Sequence, residues 1–296
     1  MRKKILLFIS IVILTMLILF GIEHFSSLNK KSQEILSSEA QPTQNTEDTS
    51  LIVNIPKKED VTINMSVIGD IMCHNSQYQD AFNGSTYDFS YVFSDIKDYI
   101  SNADIAIGNL ETTFAGAERG YSNYPTFNTP EQLAYNLKDF GIDVVSTANN
   151  HCMDTGYKGL VSTLNYLDDA GISHTGTSRT PEEQNIVLVK DINGIKIAFL
   201  SFTYGTNGIP VSSEREYSVN LISDELILNQ LKLAKEQNPD LICVSMHWGI
   251  EYQNTQNKEQ ERLANLLFQN GTDIILGSHP HVLQPMEKRT ITLDDD

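Results

Sequence analysis

The sequence is poor in cysteine, tryptophan, histidine and positive charge. Its three cysteines, Cys73, Cys152 and Cys243, are too few for a disulfide scaffold, although an exported chain could still hold one bridge. Basic residues number 21 against 38 acidic ones, a formal charge of −17. A surface of that sign repels phosphate backbones, so nucleic acid is excluded as an expected partner. It also disfavours tight docking onto anionic lipid headgroups. There is no internal repeat of fixed period. Long apolar runs are missing too, with one exception. Ile5 to Ile22 is unbroken apart from the mildly polar Ser10 and Thr15, follows Arg2, Lys3 and Lys4, and precedes the first acid, Glu23.

A run of that length spans a bilayer as a helix. The basic residues on its short leading side put that side in the cytoplasm. No A-x-A-like cleavage site follows Gly21. Residues 1–24 are therefore expected to be a cytoplasmic tip and a single-pass, uncleaved signal-anchor transmembrane helix. That layout puts the protein at the cell membrane with its main domain extracytoplasmic. Residues 25–60 are polar and show no periodicity beyond Leu51-Ile52-Val53, which reads as a flexible stalk. Residues 61–296 read as one α/β domain.

Strand-like and helix-like segments alternate through this domain. Strands are predicted at Asn64–Ile68, Asp104–Ile107, Ile142–Thr147, Asp240–Ser245 and Asp273–Leu276. Asn193-Gly194 between two apolar runs predicts a hairpin over 185–200. Helices are predicted at Phe89–Ala103, from Thr129 to Gly141, at Gly156–Ala170, Ser223–Gln237 and Lys258–Asn270. Thr129-Pro130-Glu131-Gln132 has the form of a capping box with proline at the first helical position.

The polar residues gather where these strands end. The tips are Asp70, Glu111, Asn150 with His151, His247, and His279 with His281. In an open α/β sheet functional groups collect at the carboxyl ends of strands. Any one of these tips alone reads as a turn, a cap or a core histidine. Together they supply carboxylate and amide oxygens and imidazole nitrogens, a donor set for zinc, manganese or iron. A carboxylate can bridge two such ions, and a histidine left unliganded nearby can protonate a leaving oxygen. His24 lies beside the apolar run, and His174 reads as structural.

Gly69-Asp70-Ile71-Met72, Gly108-Asn109-Leu110-Glu111, Asn149-Asn150-His151-Cys152-Met153-Asp154, His247-Trp248-Gly249-Ile250-Glu251-Tyr252 and Gly277-Ser278-His279-Pro280-His281 carry a family resemblance. In this order they resemble the bacterial capsule-synthesis, or poly-γ-glutamate synthesis, proteins of CapA/PgsA type, over about Ile63 to Pro285. That family looks like a branch of the calcineurin-like metallophosphoesterases. The resemblance implies a four-layer α/β/β/α sandwich and one or two divalent metal ions (Mn, Zn or Fe). By motif, Asp70 and His281 would hold the first ion and Glu111 would bridge. Asn150, His247 and His279 would hold the second ion, and His151 would be the general acid. Asn109, Trp248 and Glu251 are additional candidates within the motifs.

Two departures accompany the resemblance. The related phosphoesterases usually carry Asp-x-His at the first strand, where this chain has Met72. His74, two residues on, is a further candidate ligand. The family normally continues past the His-Pro-His segment, whereas this chain stops at Asp296, so the sandwich is expected to be C-terminally incomplete. Cys73 and Cys152 follow strand tips and could pair or stay free. Trp248 and Tyr252 could line a groove or simply pack.

The resemblance and the anchor together imply a role in capsule or poly-γ-glutamate biosynthesis or export. The expected partners are membrane-bound polymer synthesis proteins, an anionic polymer such as poly-γ-glutamate, and the cytoplasmic membrane. The constellation taken alone implies a metal-dependent phosphoesterase acting on cell-envelope phosphodiesters. The third reading is a non-catalytic scaffold with a degenerate site.

Overall fold

The computed structural model describes residues 60–292. The expected anchor and all but the last residue of the expected stalk lie outside them. Among the described residues no helix is long and apolar enough to cross a membrane.

Two four-stranded sheets organise the chain. The first holds β1 (Met65–Ile71), β2 (Ile105–Leu110), β3 (Val144–Ser146) and β4 (Ser173–Thr175), all parallel and in that order. Its helices are α1 (Asn75–Ala81), α2 (Lys97–Ser101), α3 (Gln132–Asp139) and α4 (Gly156–Ala170). After the short α5 (Pro181–Gln184) comes the second sheet, with order β5 (Leu188–Ile192), β6 (Ile195–Thr203), β7 (Leu241–His247) and β8 (Ile274–Ser278). β5 and β6 form the expected hairpin, with Asn193 and Gly194 both at positive φ as a type I′ turn requires. β6, β7 and β8 run parallel, joined through α6 (Asp224–Glu236) and α7 (Lys258–Gln269).

The alternation of side chains along each strand sorts the core into three clusters. Ile105, Ile107 and Val144 of the first sheet meet Ile197, Phe199 and Cys243 of the second, which makes the inter-sheet layer. On the outer face of the first sheet, Ala106, Leu110 and Val145 pack with Leu137 of α3 and Leu160 and Leu164 of α4. On the outer face of the second, Leu200, Phe202 and Val244 pack with Ile227 and Leu231 of α6 and Leu263 of α7. Helices therefore cover the outer face of each sheet.

Local side-chain chemistry overrides the sequence pattern at two helices. The expected helix over Phe89–Ala103 is reduced to a 3₁₀ turn at Ser94–Ile96 and the single turn of α2. The Phe89 N–H donates to Asn136 Oδ1 at 2.9 Å and the Ser90 N–H to Asp88 Oδ1 at 2.9 Å, so the first residues spend their donors elsewhere. Thr129 does not cap α3. Its N–H donates to the Thr113 carbonyl and its hydroxyl lies 2.6 Å from that of Thr112. The helix begins at Gln132 with Glu131 at the cap position instead.

Strand register places the site. On the first sheet Asp70 pairs with Asn109, and Asn109 with Ser146. A shift in the β1–β2 register between Val67 and Asp70 turns Asp70 into this row. On the second sheet Thr203 pairs with His247, and His247 with Ser278. Each sheet thus presents one level row of polar residues at its carboxyl edge.

Candidate metal centre

The two rows meet through Asn109 and His247. Asn109 Nδ2 lies 2.8 Å from Asp70 Oδ1, 3.3 Å from Glu111 Oε2 and 3.3 Å from His247 Nδ1. Its Oδ1 accepts from Ser146 Oγ at 2.9 Å and from Asn149 Nδ2 at 3.3 Å. The Asn149 amide is itself oriented by donating to the Leu110 carbonyl at 2.7 Å. The Ser146 and Asn149 donors fix the Asn109 amide so that its two hydrogens are shared among three site residues.

His247 lies 2.9 Å through Nδ1 from Ser278 Oγ and 2.8 Å through Nε2 from Asn150 Oδ1. The Ser278 hydroxyl can donate to Nδ1 or accept from it, so the ring can carry its proton on Nε2 toward Asn150 or leave Nε2 free as a ligand atom facing Glu111. The His-Pro-His segment closes the site. The His279 N–H donates to Asp70 Oδ2 at 3.2 Å, and His281 Nδ1 lies 2.9 Å from the same oxygen. His279 and His281 both have positive φ, a conformation that strains residues with a Cβ. The Tyr252 N–H donating to the Pro280 carbonyl at 2.8 Å helps hold it.

Two groups of ligand atoms result, each lying within 4.8 Å of one another: Glu111 with His247 and His279, and Asp70 with Glu111 and His281. Glu111 belongs to both. Its Oε1 and the Nδ1 of His279 are buried and have no hydrogen-bond partner. Burying a carboxylate oxygen unpaired is costly, and a cation between the groups would satisfy both atoms. The residues fit a metal.

The charge states fit as well. Burial drives His247 down to about 3 and lowers His279, so both offer neutral imidazoles. For Asp70 burial acts upward, but the hydrogen bond from His281, the nearby His247 and the Asn109 amide hold it well below the usual carboxylate range. His281 is raised by the same hydrogen bond. Burial, then the adjacent Asp70 charge, pushes Glu111 up to about 10. Glu111 thus keeps a proton at neutral pH until a cation replaces it.

His151 stands beside the ligand groups. Its Nδ1 is 2.7 Å from Asp154 Oδ2, which also accepts from the Phe127 N–H at 2.6 Å. Both side chains are buried. The carboxylate fixes the ring with Nδ1 as donor and leaves Nε2 for a reacting atom.

The other candidates lie further out. His74 is exposed at the cap of α1 and meets the edge of Phe127, whose ring also contacts His151. It is in neither ligand group. Trp248 packs in the outer cluster of the second sheet, and Tyr252 is exposed with its ring 6.2 Å from His281. Glu251 is exposed, and its charge acts on Glu111, His279 and His281. Cys73, Cys152 and Cys243 are all free and buried.

Sequence reasoning missed Tyr204 and Asn207, which follow β6. The Asn150 Nδ2 donates to Asn207 Oδ1 at 3.1 Å, and Asn207 Nδ2 lies 3.4 Å from His151 Nε2. The tip of β6, Thr203-Tyr204, carries no carboxylate or imidazole, so nothing marked it. The turn pair Asn207-Gly208 was the only local signal. The role of Asp154 was also missed, although its spacing of three from His151 was visible.

The description Bacterial capsule synthesis protein PGA_cap matches residues 64–293. The Capsule biosynthesis protein CapA of Bacillus anthracis is 28% identical over 248 residues, covering 81% of this chain and 59% of its own length. The PGA biosynthesis protein CapA of Bacillus subtilis (strain 168) is 29% identical over 234 residues, covering 77% and 60%. This chain therefore spans about 60% of the length of these relatives. Among solved structures, the calcineurin-like phosphoesterase YfkN from Bacillus subtilis is similar at a TM-score of 0.46 and 15% identity, over 76% of this chain and 74% of that one. With most of its length, and every residue of the two ligand groups, inside the matched span, the chain belongs to the bacterial capsule synthesis protein family.

Proposed function

We propose that this chain acts in capsule or poly-γ-glutamate synthesis outside the cytoplasm, tethered by its N-terminal apolar run. We further propose that its centre binds one or two divalent cations and hydrolyses a phosphoester. The sharing of Glu111 between two ligand groups supports the second part most directly. Asp70, Glu111, His247, His279 and His281 would hold the cations, with Asn150 beside His247. A bound divalent ion supplies Lewis-acid charge against the negative charge that develops on phosphoryl oxygens.

The chain's own residues supply orientation and a proton. Asp154 locks the His151 ring, so Nε2 faces the reacting group. In the proposed step a water oxygen bonds to phosphorus and gives up one proton to solvent, the ester P–O bond breaks, and the departing oxygen takes the Nε2 proton of a His151 that carries protons on both ring nitrogens, leaving Nδ1–H on Asp154. Asn109 holds both carboxylates in place without adding charge.

Genetic complementation in a polymer-producing host tests this reading. Deletion is expected to change polymer amount or chain length. The wild-type gene is expected to restore it, and a Glu111→Gln gene is not. Full restoration by Glu111→Gln would detach the centre from the biosynthetic role.

A further inference from the structure

The loop after β6 carries two side chains that touch the centre without belonging to either ligand group. The Tyr204 N–H donates to the His247 carbonyl at 3.0 Å, which pins the residue to β7. Its ring lies 4.7 Å from the His279 ring and stacks on His247 at 6.2 Å with an interplanar angle of 10°. Yet Tyr204 is 48% exposed. One part of the ring covers the histidines while the rest faces solvent. Asn207 is exposed as well, at φ 50°, with its amide against Asn150 and within 3.5 Å of both His151 ring nitrogens. The turn that presents it is closed by two hydrogen bonds, Ile209 N–H to the Thr206 carbonyl at 2.9 Å and Thr206 Oγ1 to the Ile209 carbonyl at 2.6 Å.

We infer that residues 204–209 form the substrate-recognition element of the centre. Tyr204 is the wall for a ring on the phosphorus-bearing ligand, because a half-exposed aromatic face beside the reacting position favours a flat partner. Asn207 is the amide that contacts a ligand oxygen next to His151, where a neutral donor already sits in hydrogen-bonding range of the ring. The inference rests on the phosphoester reading above, and it selects for esters that carry a ring.

Calorimetry on the full-length chain in detergent with Mn²⁺ separates the two, using phenylphosphonate and methylphosphonate, whose C–P bonds resist hydrolysis. Wild type is expected to bind the phenyl compound about 3- to 10-fold more tightly, the range of one aromatic contact. Tyr204→Ala should erase that preference and Tyr204→Phe should keep it. Asn207→Gly, which accepts the positive φ without strain, should weaken both compounds by about 3- to 10-fold, the range of one hydrogen bond. Metal content should match wild type in all three variants. Equal binding of the two phosphonates by wild type, absence of binding, or a preference that survives Tyr204→Ala would overturn the inference. Retained preference without any hydrolysis of bis(4-nitrophenyl) phosphate would instead refute the hydrolytic reading and leave recognition standing.

Discussion

Glu111 is the residue on which the two halves of the centre converge, and its protonation sets how the metal-free protein behaves. Glutamine mimics the protonated carboxyl in shape and charge. Glu111→Gln should therefore leave metal-free stability within about 0.5 kcal/mol of wild type in urea denaturation at pH values near or below 4.5, where both side chains are uncharged in the folded and unfolded states. Divalent-ion affinity should fall on the order of 100-fold or more, because even supporting residues around a metal cost 10- to 100-fold. The pH dependence follows from the same group. Its ordinary value is 4.5 and its folded, metal-free value is raised to about 10. The contribution is present in full below 4.5 and is lost progressively as pH climbs toward 10. The stability difference between wild type and Glu111→Gln should thus drift against wild type across that window. Added metal displaces the proton, so apparent affinity should rise with pH; a flat metal affinity would count against a protonated Glu111. Asn109→Leu removes a donor shared by two buried carboxyl groups. It should cost the metal-free fold about 1–3 kcal/mol in the same denaturation measurement. At this scale the sequence was informative: Asp70, Glu111, His247, His279 and His281 were identified from residue type and strand-end position, and they converge. Tyr204 and Asn207 were not, because a tyrosine and an asparagine after a strand look like any others until the fold sets Tyr204 against His247 and His279 and Asn207 beside His151.

Elements position these residues through register and through close helix packing. The loop bearing Asn150 and His151 runs directly into α4, and its last residue, Thr155, donates from Oγ1 to Thr113 Oγ1 at 2.8 Å. A Cβ on Gly159 would stand 1.7 Å from Thr155 Oγ1 and 2.4 Å from Thr155 Cβ. Gly159→Ala should therefore destabilise the fold by about 1–3 kcal/mol, as overpacking does, rather than add the helix propensity alanine normally brings. A urea midpoint equal to or above wild type would contradict this packing account. Legibility at the level of elements was uneven for physical reasons. α4, α6 and α7 have long amphipathic patterns and clear ends, and they appear where expected. Phe89–Ala103 failed because buried aromatic anchoring and local Asp and Asn hydrogen bonds compete with the helix. Thr129 failed because its side chain serves the threonine pair with Thr112 instead of the helix end.

At the scale of the whole molecule, two helix-covered sheets close on a shared apolar layer and bring two carboxyl edges together. The alternation of strands and helices made an α/β domain legible. The division into two sheets was not readable from periodicity, because a strand buried on both faces looks the same in either sheet; it came with the resemblance. The formal charge of −17 bears on the proposed polymer partner. Like-charge repulsion should keep poly-γ-glutamate association weak at low ionic strength and let it strengthen as salt screens the field. Co-sedimentation across a salt series checks this, and association that falls with salt would point to a cationic surface instead. The account stands most directly on the centre itself. The measurement that tests it is metal content and phosphodiester hydrolysis of the full-length chain, beside an Asp70→Ala, His279→Ala double variant. Stoichiometric divalent metal and hydrolysis in wild type, both lost in the variant, is the expected result. A wild-type chain that takes up no metal under conditions where it is folded would contradict it.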